Sequence, residues 1–435
     1  MHKIKVFTRS LGCPKNLVDT ENILGSLGEA YDPALSPEES HVVLINTCAF
    51  IRPAVEESLD AILGCHQQIS QVEKRPLLAV TGCLVSRYGP SLARALPEAD
   101  ILCPVENQAD LPEMLASRLG FGQSPGPGPR VLSSPGGFAY LKISEGCSNK
   151  CAFCAIPSIR GRLRSRPWPE ILKEASSLAH RGIKELIIVA QDTTAYGRDL
   201  GMENGLLELL RRLAELPGLT WIRIMYMYPS GITRKLLAGM AAMGLPVLPY
   251  FDIPFQHSHP DILARMGRPF KQDPGKVISL IREFFPEAAL RTTLIVGYPG
   301  ETARHFRHLE QFVQNAGFQH LGVFPFYPEE GTRAAGFSNP VSENEQQKRL
   351  DRIMSVQSRI SAGLLAEYTD QTLDIMVDEP HPEWPGLYSG RAWFQAPEVD
   401  GMSYVSGPGI KQGEIVRARV HETSEYDLIT LQEQE

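Results

Sequence analysis

Three cysteines lie within eight residues of this chain, and their spacing is its strongest chemical signal. Cys147, Cys151 and Cys154 follow the pattern C-x3-C-x2-C, directly after an apolar run, residues 138–143, that predicts a β-strand. A loop this short can bring three thiolates to one metal centre but supplies no fourth. Because a 4Fe–4S cluster normally takes four thiolates, three would leave one iron with an open position. An open position is typical of a catalytic metal site.

Two other interpretations of this loop stay open on the residues alone, a zinc site and unliganded thiols. Zinc sites usually pair two cysteines with two further ligands at a set distance, and the nearest downstream histidine, His180, falls on a predicted helix. A disulfide framework is not expected in a long chain with no secretory signal. The x3-x2 spacing is more specific than a lone C-x-x-C and favours a cluster.

Three further cysteines each follow a predicted strand within residues 1–120. Strand and helix patterns alternate there, which predicts a doubly wound parallel sheet. The strand patterns fall at residues 3–8, 41–46, 77–80 and 100–105. Cys13, Cys48 and Cys83 follow the first three, at the edge where such sheets bind ligands. Pro14 suits the first turn of a helix, which would put the Cys13 thiol at a helix N-terminus.

These three thiols have two interpretations of equal weight on spacing alone. Converging at one sheet edge, they could hold a second iron–sulfur cluster with three protein ligands. They could also be buried structural thiols, since cysteine is among the most buried residue types. The two remaining cysteines, Cys65 in a predicted helix and Cys103 in the fourth predicted strand, are interpreted as core thiols.

Residues 138–368 are predicted to form a second α/β unit after a Gly- and Pro-rich linker at 121–137. Six strand–helix units predict a partial (β/α)6 barrel with its active site at the C-terminal ends of the strands. The strand patterns fall at residues 140–144, 185–190, 221–225, 250–254, 290–296 and 321–326. Polar residues with chemical interest follow those strands: Gln191, Asp192, His257 and Glu301. Glu301 could instead favour a helix N-terminus, and His257 could be an ordinary loop histidine.

Four cations follow the cysteine loop at alternate positions: Arg160, Arg162, Arg164 and Arg166. Such a run is usually a solvated face. Here it could offset the charge of thiolate clusters or hold a carboxylate, an acidic substrate or a tRNA phosphate.

Residues 369–435 change to short strands with turns, which predicts a small five-stranded antiparallel β-barrel. The strand patterns fall at residues 373–377, 390–394, 403–405, 415–420 and 427–430. Residues 370–435 hold 13 Asp or Glu against four Lys or Arg, so the formal charge of this segment is 4 − 13 = −9. The formal net charge of the whole chain is −7. An RNA-binding barrel should be basic, whereas an acidic one attracts a basic protein.

Several strings in the chain resemble the radical S-adenosylmethionine (SAM) methylthiotransferases, and within them the branch that modifies an aspartate of a small-subunit ribosomal protein. The resemblance covers nearly the whole chain and includes a C-terminal TRAM domain. The strings are Ser10 to Asp19, Asn46 to Phe50, Thr81 to Leu84, Tyr140 to Cys147, Cys154 to Gly161, Arg164 to Arg166, Asp252 to His257, Ile295 to Glu301, Ala396 to Gly401 and Glu425 to Leu428.

The resemblance implies roles for these residues. Cys147, Cys151 and Cys154 would hold the 4Fe–4S cluster that binds SAM, and Cys13, Cys48 and Cys83 would hold an auxiliary 4Fe–4S cluster that carries the sulfur. The strand ends with Gln191, Asp192, His257 and Glu301 would shape the SAM pocket, and Phe153 would border the adenine. SAM would be both radical source and methyl donor, with an external electron donor. No side-chain acid or base would be required.

The predicted function is therefore methylthiolation of the β-carbon of an aspartate in a basic small-subunit ribosomal protein. The alternative in the same enzyme class is a tRNA adenosine methylthiotransferase, which the acidic C-terminal segment disfavours. A rival from another class is a non-catalytic metal-binding ribosome or RNA partner. Without an apolar run of membrane-spanning length, and with an N-terminus that enters a strand directly, the chain is expected to be cytoplasmic.

Overall fold

Five parallel strands form the first sheet of the computed structural model, which describes residues 3–120, 128–134, 136–268 and 273–433. The strands are β1 (Ile4–Ser10), β2 (Tyr31–Pro33), β3 (Val42–Thr47), β4 (Leu77–Gly82) and β5 (Ile101–Pro104), in the order β2-β1-β3-β4-β5. Every residue of β3 is buried, as expected for a parallel strand covered on both faces. The sequence patterns missed β2, a three-residue edge strand whose Pro33 is tolerated because it lies at the edge.

Four helices cover this sheet: α1 (Pro14–Ser26), α2 (Arg52–Ile69), α3 (Cys83–Ala95) and α4 (Leu111–Arg118). The predicted doubly wound arrangement is confirmed. Its strand order places the topological switch point between β1 and β3, which is where ligands bind in this kind of sheet.

The described part of the predicted linker is tied to both flanking units. Arg130 is buried and forms ion pairs with Glu21 of α1 and, at 2.8 Å, with Glu174 of the following unit. Its guanidinium also donates to the Tyr140 carbonyl over 2.6 Å. Residues 121–127 and 135 of the linker prediction lie outside the described residues.

The second unit contains six parallel strands in chain order. They are β6 (Phe138–Lys142), β9 (Glu185–Val189), β10 (Trp221–Ile224), β11 (Tyr250–Asp252), β12 (Ala289–Val296) and β13 (His320–Pro325). A short ribbon of β7 (Ser144–Glu145) and β8 (Arg164–Ser165) follows the first of them. The six form two three-stranded sheets, β6-β9-β10 and β11-β12-β13, joined by a bridge between Ile222 and Val247. This confirms the predicted partial (β/α)6 barrel.

Six of the eight described helices of this unit bury their apolar faces in one large core, whereas the two short helices at 156–159 and 260–265 pack in smaller clusters. The eight helices are α5 (Ile156–Ile159), α6 (Trp168–His180), α7 (Gly205–Ala214), α8 (Arg234–Met243), α9 (Pro260–Arg265), α10 (Pro274–Phe284), α11 (Ala303–Ala316) and α12 (Glu343–Ala366). In the described part of the chain no helix combines the length and apolarity needed to cross a membrane.

The C-terminal barrel is built from β14 (Thr372–Pro380), β15 (Leu387–Arg391), β16 (Ser403–Ser406), β17 (Ile415–Thr423) and β18 (Leu428–Gln432). These strands form a closed sheet in the order β14-β15-β16-β18-β17. The prediction of five antiparallel strands needs one correction, because β16 and β18 pair in parallel. The connection after β16 crosses the barrel instead of returning as a hairpin.

The C-terminal barrel closes the inner face of the partial barrel. Apolar residues of β6, β9, β10 and β11 share one core with those of the small barrel. Buried charges cross this boundary, since the Glu185 carboxylate bonds both Arg223 and Arg391 over 2.7 Å. The two units are therefore packed as a continuous interior.

Candidate active site

All six predicted ligand cysteines line one cavity of about 330 Å³. Cys13, Cys48 and Cys83 reach it from the carboxyl ends of β1, β3 and β4. The Cys147 loop reaches it from the carboxyl end of β6. The structure thus brings together two cysteine triads that are far apart in sequence.

The first triad is positioned by helix starts and by one reciprocal hydrogen-bond pair. Cys13 is the N-cap of α1, with Pro14 in the first turn as predicted, and Cys83 is the first residue of α3. Ser58 fixes the Cys48 backbone, accepting from its N–H at 3.1 Å and donating to its carbonyl at 2.7 Å. Gly12 has φ of +85°, and a Cβ there would lie 2.5 Å from Cys48 Cβ. A glycine is needed at this close approach.

The three thiols of this triad differ in acidity. Burial opposes ionisation of Cys13, but Lys15 and Arg160 outweigh it, so the pKa of Cys13 is lowered. Burial raises the pKa of Cys48 to about 12 and also raises that of Cys83. Cys13 is therefore the thiol of this triad that ionises first.

The second triad lies on a loop that backbone hydrogen bonds hold in place. The Cys147 N–H donates to the Gly161 carbonyl over 3.1 Å, and the Ala152 N–H donates to the Met266 carbonyl over 2.7 Å. The Ala152 carbonyl accepts from Ala334 at 2.9 Å. Burial raises the pKa of Cys154 to about 12. The loop is ordered although it contains almost no regular secondary structure.

The arrangement fits 4Fe–4S clusters better than single metal ions. In a tetrahedral zinc site, Zn–S bonds of about 2.3 Å place the sulfur atoms about 3.8 Å apart. Among the described residues, neither cysteine triad has all its Sγ atoms within 4.8 Å of one another. The cavity wall also carries three cations, Lys15, Arg160 and Arg268, and no described Asp or Glu. Such a wall suits anionic thiolate clusters and the carboxylate of SAM.

Two further features mark the cavity as a functional site. The Oε1 atom of Gln191 is buried and has no hydrogen-bond partner, although its Nε2 donates to Glu145 over 2.7 Å. A bound donor would satisfy that oxygen. Tyr226 and Gln256, both on the wall, have left-handed φ values of 59° and 70°. Non-glycine residues hold such strained conformations mainly at functional sites.

The predicted SAM-pocket residues divide into two groups. Phe153 and Gln191 line the cavity. Asp192 stands behind it, where it accepts from Asn149 of the cysteine loop over 2.7 Å. His257 and Glu301 are fully buried 3.7 Å from each other and do not line the cavity. The assignment of these five residues to the SAM pocket stays a prediction.

The four arginines that follow the cysteine loop differ in burial and in their partners. Arg160 is buried, and its Nε–H donates to Cys83 Sγ over 3.3 Å. Arg162 and Arg164 are exposed. Arg166 turns away to Glu174, at 2.8 Å. Arg160 thus contacts a predicted cluster ligand, Cys83.

Sequence reasoning missed several residues of the site, among them Asn16 and Arg268. Asn16 ties the first triad's loops together by donating to the carbonyls of Leu11 at 2.7 Å and Thr47 at 3.0 Å. Arg268 donates from Nε to Cys151 Sγ over 3.3 Å. Asn16 lies three residues after Cys13, a signal that could have been used, whereas nothing in the spacing links Arg268 to Cys151. Cys65 and Cys103 are buried in apolar cores, as predicted.

Family models match three segments that correspond to these units. The Radical SAM superfamily model matches residues 141–313, the Uncharacterized protein family UPF0004 model matches residues 5–104, and the TRAM domain model matches residues 371–431. A solved structure with a similar fold is the radical S-adenosylmethionine methyltransferase TsrM from Kitasatospora setae. Its TM-score is 0.55 and its identity 13%, over 89% of this chain and 81% of that one.

Curated relatives match along the full chain. The ribosomal protein uS12 methylthiotransferase RimO of Nitratidesulfovibrio vulgaris is 52% identical over 98% of this chain and 100% of its own. The proteins of the same name from Lawsonia intracellularis and Geobacter sulfurreducens are 46% and 42% identical, over 97% and 98% of this chain and 96% and 98% of their own. The chain therefore belongs to the RimO family of radical SAM methylthiotransferases, enzymes with 4Fe–4S clusters and SAM as cofactors.

Proposed function

We propose that this protein methylthiolates the β-carbon of an aspartate in ribosomal protein uS12, in the cytoplasm, with two 4Fe–4S clusters and SAM. The observation that carries the proposal is the single cavity lined by both cysteine triads. A sulfur carried at one triad and a radical formed at the other would act on the same substrate carbon. The relatives named as uS12 methylthiotransferases support the substrate.

The two triads take separate roles. Cys147, Cys151 and Cys154 hold the cluster that binds SAM, and Cys13, Cys48 and Cys83 hold the auxiliary cluster. When bound and reduced by an electron donor, the cofactors supply a 5′-deoxyadenosyl radical and a methylated sulfur. The side chains bind, orient and exclude water.

The cavity wall supports these tasks. Phe50, Phe153 and Met227 give it apolar surface, which keeps water from a reactive radical. The buried Gln191 oxygen offers an acceptor for an ammonium or hydroxyl donor of the cofactor. No side chain is required as a general acid or base.

The negative charge of the C-terminal barrel supports the proposal that the substrate is a basic protein. Of the four cations in residues 370–435, Arg391 is buried in ion pairs and Arg419 pairs with Asp370 at 3.0 Å. The exposed surface therefore keeps most of the segment's charge of 4 − 13 = −9. A phosphate backbone would be repelled, and a basic ribosomal protein would be attracted.

The test uses anaerobically reconstituted protein with SAM and dithionite, offered uS12 and bulk tRNA in parallel. Mass spectrometry should find a methylthio group on a uS12 aspartate. Modified tRNA adenosine in its place would keep the enzyme class and contradict the substrate. No product on either would contradict the proposed reaction.

Variants separate the roles of the two triads. Cys151→Ala should abolish 5′-deoxyadenosine formation. Cys48→Ala should retain it and lose the thiolated product. The matched control is Cys65→Ala, which removes a buried thiol away from the cavity and should keep both activities. Deoxyadenosine from Cys151→Ala, or full thiolation by Cys48→Ala, would refute the assignments.

A further inference from the structure

Each cysteine triad receives one hydrogen bond from a buried arginine. Arg160 Nε donates to Cys83 Sγ, and Arg268 Nε donates to Cys151 Sγ, both over 3.3 Å. Both arginines are nearly inaccessible, with exposures of 4% and 7%. Both belong to the partial-barrel unit, so Arg160 reaches its sulfur across the boundary with the first unit.

The two guanidinium groups are held in place by other contacts. Arg160 also bonds Glu145 at 2.9 Å, Asp19 at 3.3 Å and the Asn16 amide oxygen. Arg268 donates to the Pro254 carbonyl, and its guanidinium lies 4.7 Å from the centroid of the Tyr228 ring. The Nε–H groups therefore point at the sulfur atoms without depending on mobile side chains.

The physical consequence concerns electron transfer to a cluster. One-electron reduction adds a negative charge to the cluster and its thiolate ligands. A buried N–H donor and a positive charge beside a ligand sulfur stabilise that added charge, so they raise the reduction potential. Both effects are strong here because water is excluded.

We propose that Arg160 and Arg268 are positioning residues that separately set the reduction potentials of the auxiliary and SAM-binding clusters. The inference rests on the proposed function, since it assumes that each triad holds a cluster. It adds a role that the motifs do not give: each cluster has its own arginine.

The two arginines differ in charge compensation, which predicts an order of effect. The Arg160 charge is offset by two carboxylates. Among the described residues, Arg268 donates to Cys151 Sγ and to the Pro254 carbonyl and forms no ion pair with a carboxylate. Loss of Arg268 should therefore lower the reduction potential of the SAM-binding cluster more than loss of Arg160 lowers that of the auxiliary cluster.

The experiment measures the two clusters one at a time. A chain with all three of Cys13, Cys48 and Cys83 changed to Ala retains the SAM-binding cluster, and the corresponding Cys147, Cys151 and Cys154 variant retains the auxiliary one. Each is reconstituted anaerobically and titrated with dithionite while electron paramagnetic resonance measures the reduced cluster. Arg160→Gln, Arg268→Gln and the two Lys variants are made in both backgrounds. The control is Arg352→Gln, an exposed arginine on α12.

Arg268→Gln should lower the reduced-to-oxidised ratio of the SAM-binding cluster about tenfold at fixed potential, equal to about 59 mV. Arg160→Gln should lower that ratio for the auxiliary cluster by a smaller factor. The reduction potential of the other cluster should stay unchanged. The Lys variants keep the charge without the Nε–H, so their shifts should be smaller.

The contrary results are distinct. A Gln variant that has normal iron content and an unchanged reduction potential overturns the inference and leaves the proposed function standing. Where a Gln variant fails to bind its cluster, the Lys variant is measured instead. A Lys variant whose cluster has the same reduction potential as in the unmodified chain overturns the inference. Failure of the unmodified chain to bind two clusters contradicts the proposed function itself.

Discussion

The substitution Glu185→Gln tests how the C-terminal barrel is held on the partial barrel. Glu185, Arg223 and Arg391 have side-chain exposures of 0%, 0% and 2%, and Asp378 pairs with Arg391 at 2.7 Å. Two buried cations are thus balanced by two carboxylates. Glutamine keeps the shape of the side chain but leaves one buried positive charge uncompensated. Breaking a buried pair in this way costs about 3–5 kcal/mol.

Guanidinium denaturation followed by tryptophan fluorescence measures this loss of stability. Trp221 is buried in β10 beside this boundary, and the carbonyl of Trp393 accepts from Arg223 over 2.7 Å. The matched control is Glu283→Gln, which breaks an exposed ion pair with Arg234 and should change stability little. The double variant Glu185→Gln with Arg391→Met restores charge balance and should recover part of the loss. A midpoint for Glu185→Gln equal to that of the control would refute the reasoning.

Three further perturbations follow from the same structure. Gly12→Ala should lose about half of the bound iron, because its Cβ would lie 2.7 Å from Cys48 Sγ; Gly201→Ala, with φ of +73° and open space, should keep its iron in the same assay. Burial raises the pKa of Glu185, but Arg223 and Arg391 outweigh it and lower that pKa, so its stabilisation is present above its ordinary value of 4.5 and is lost as pH falls through the folded value. The stability gap between the unmodified chain and Glu185→Gln should therefore narrow below pH 4.5, and a constant gap would contradict this. Charge reversal of Glu422 and Glu425, both exposed on the C-terminal barrel, should slow association with a basic ribosomal protein at low salt, as measured by stopped-flow fluorescence; an unchanged rate would remove the electrostatic argument for the substrate.

The sequence was sufficient for what depends on local pattern. Strand and helix alternation predicted both α/β units, and the rule that ligands bind beyond the carboxyl ends of parallel strands placed Cys13, Cys48 and Cys83 at one edge. The cysteine spacing in the 147–154 loop predicted a three-thiol centre. Each of these signals lies within a short stretch of sequence, where the periodicity of apolar residues or the spacing of cysteines reveals it. The parallel pairing of β16 and β18 was missed because strand patterns carry no direction.

The contacts between units could not be predicted, because they join residues that are distant in sequence. Arg160 and Asp19 are 141 positions apart, Arg391 and Glu185 are 206 apart, and Arg268 and Cys151 are 117 apart. Composition indicates neither partner in such pairs. The arginine run illustrates this limit: its four members look alike in sequence, yet packing buries Arg160 and leaves Arg162 exposed.

The charges of the cavity connect its construction to its chemistry. The pKa of Lys15 is lowered by burial and by the charge of Arg160, and Arg268 is a third cation on the same wall. Three thiolates outweigh the positive charge of an oxidised 4Fe–4S core, so two such clusters would place negative charge beside these cations. The same cations would then stabilise the further negative charge that reduction adds. The three cations Lys15, Arg160 and Arg268 would thus favour both cluster binding and electron uptake.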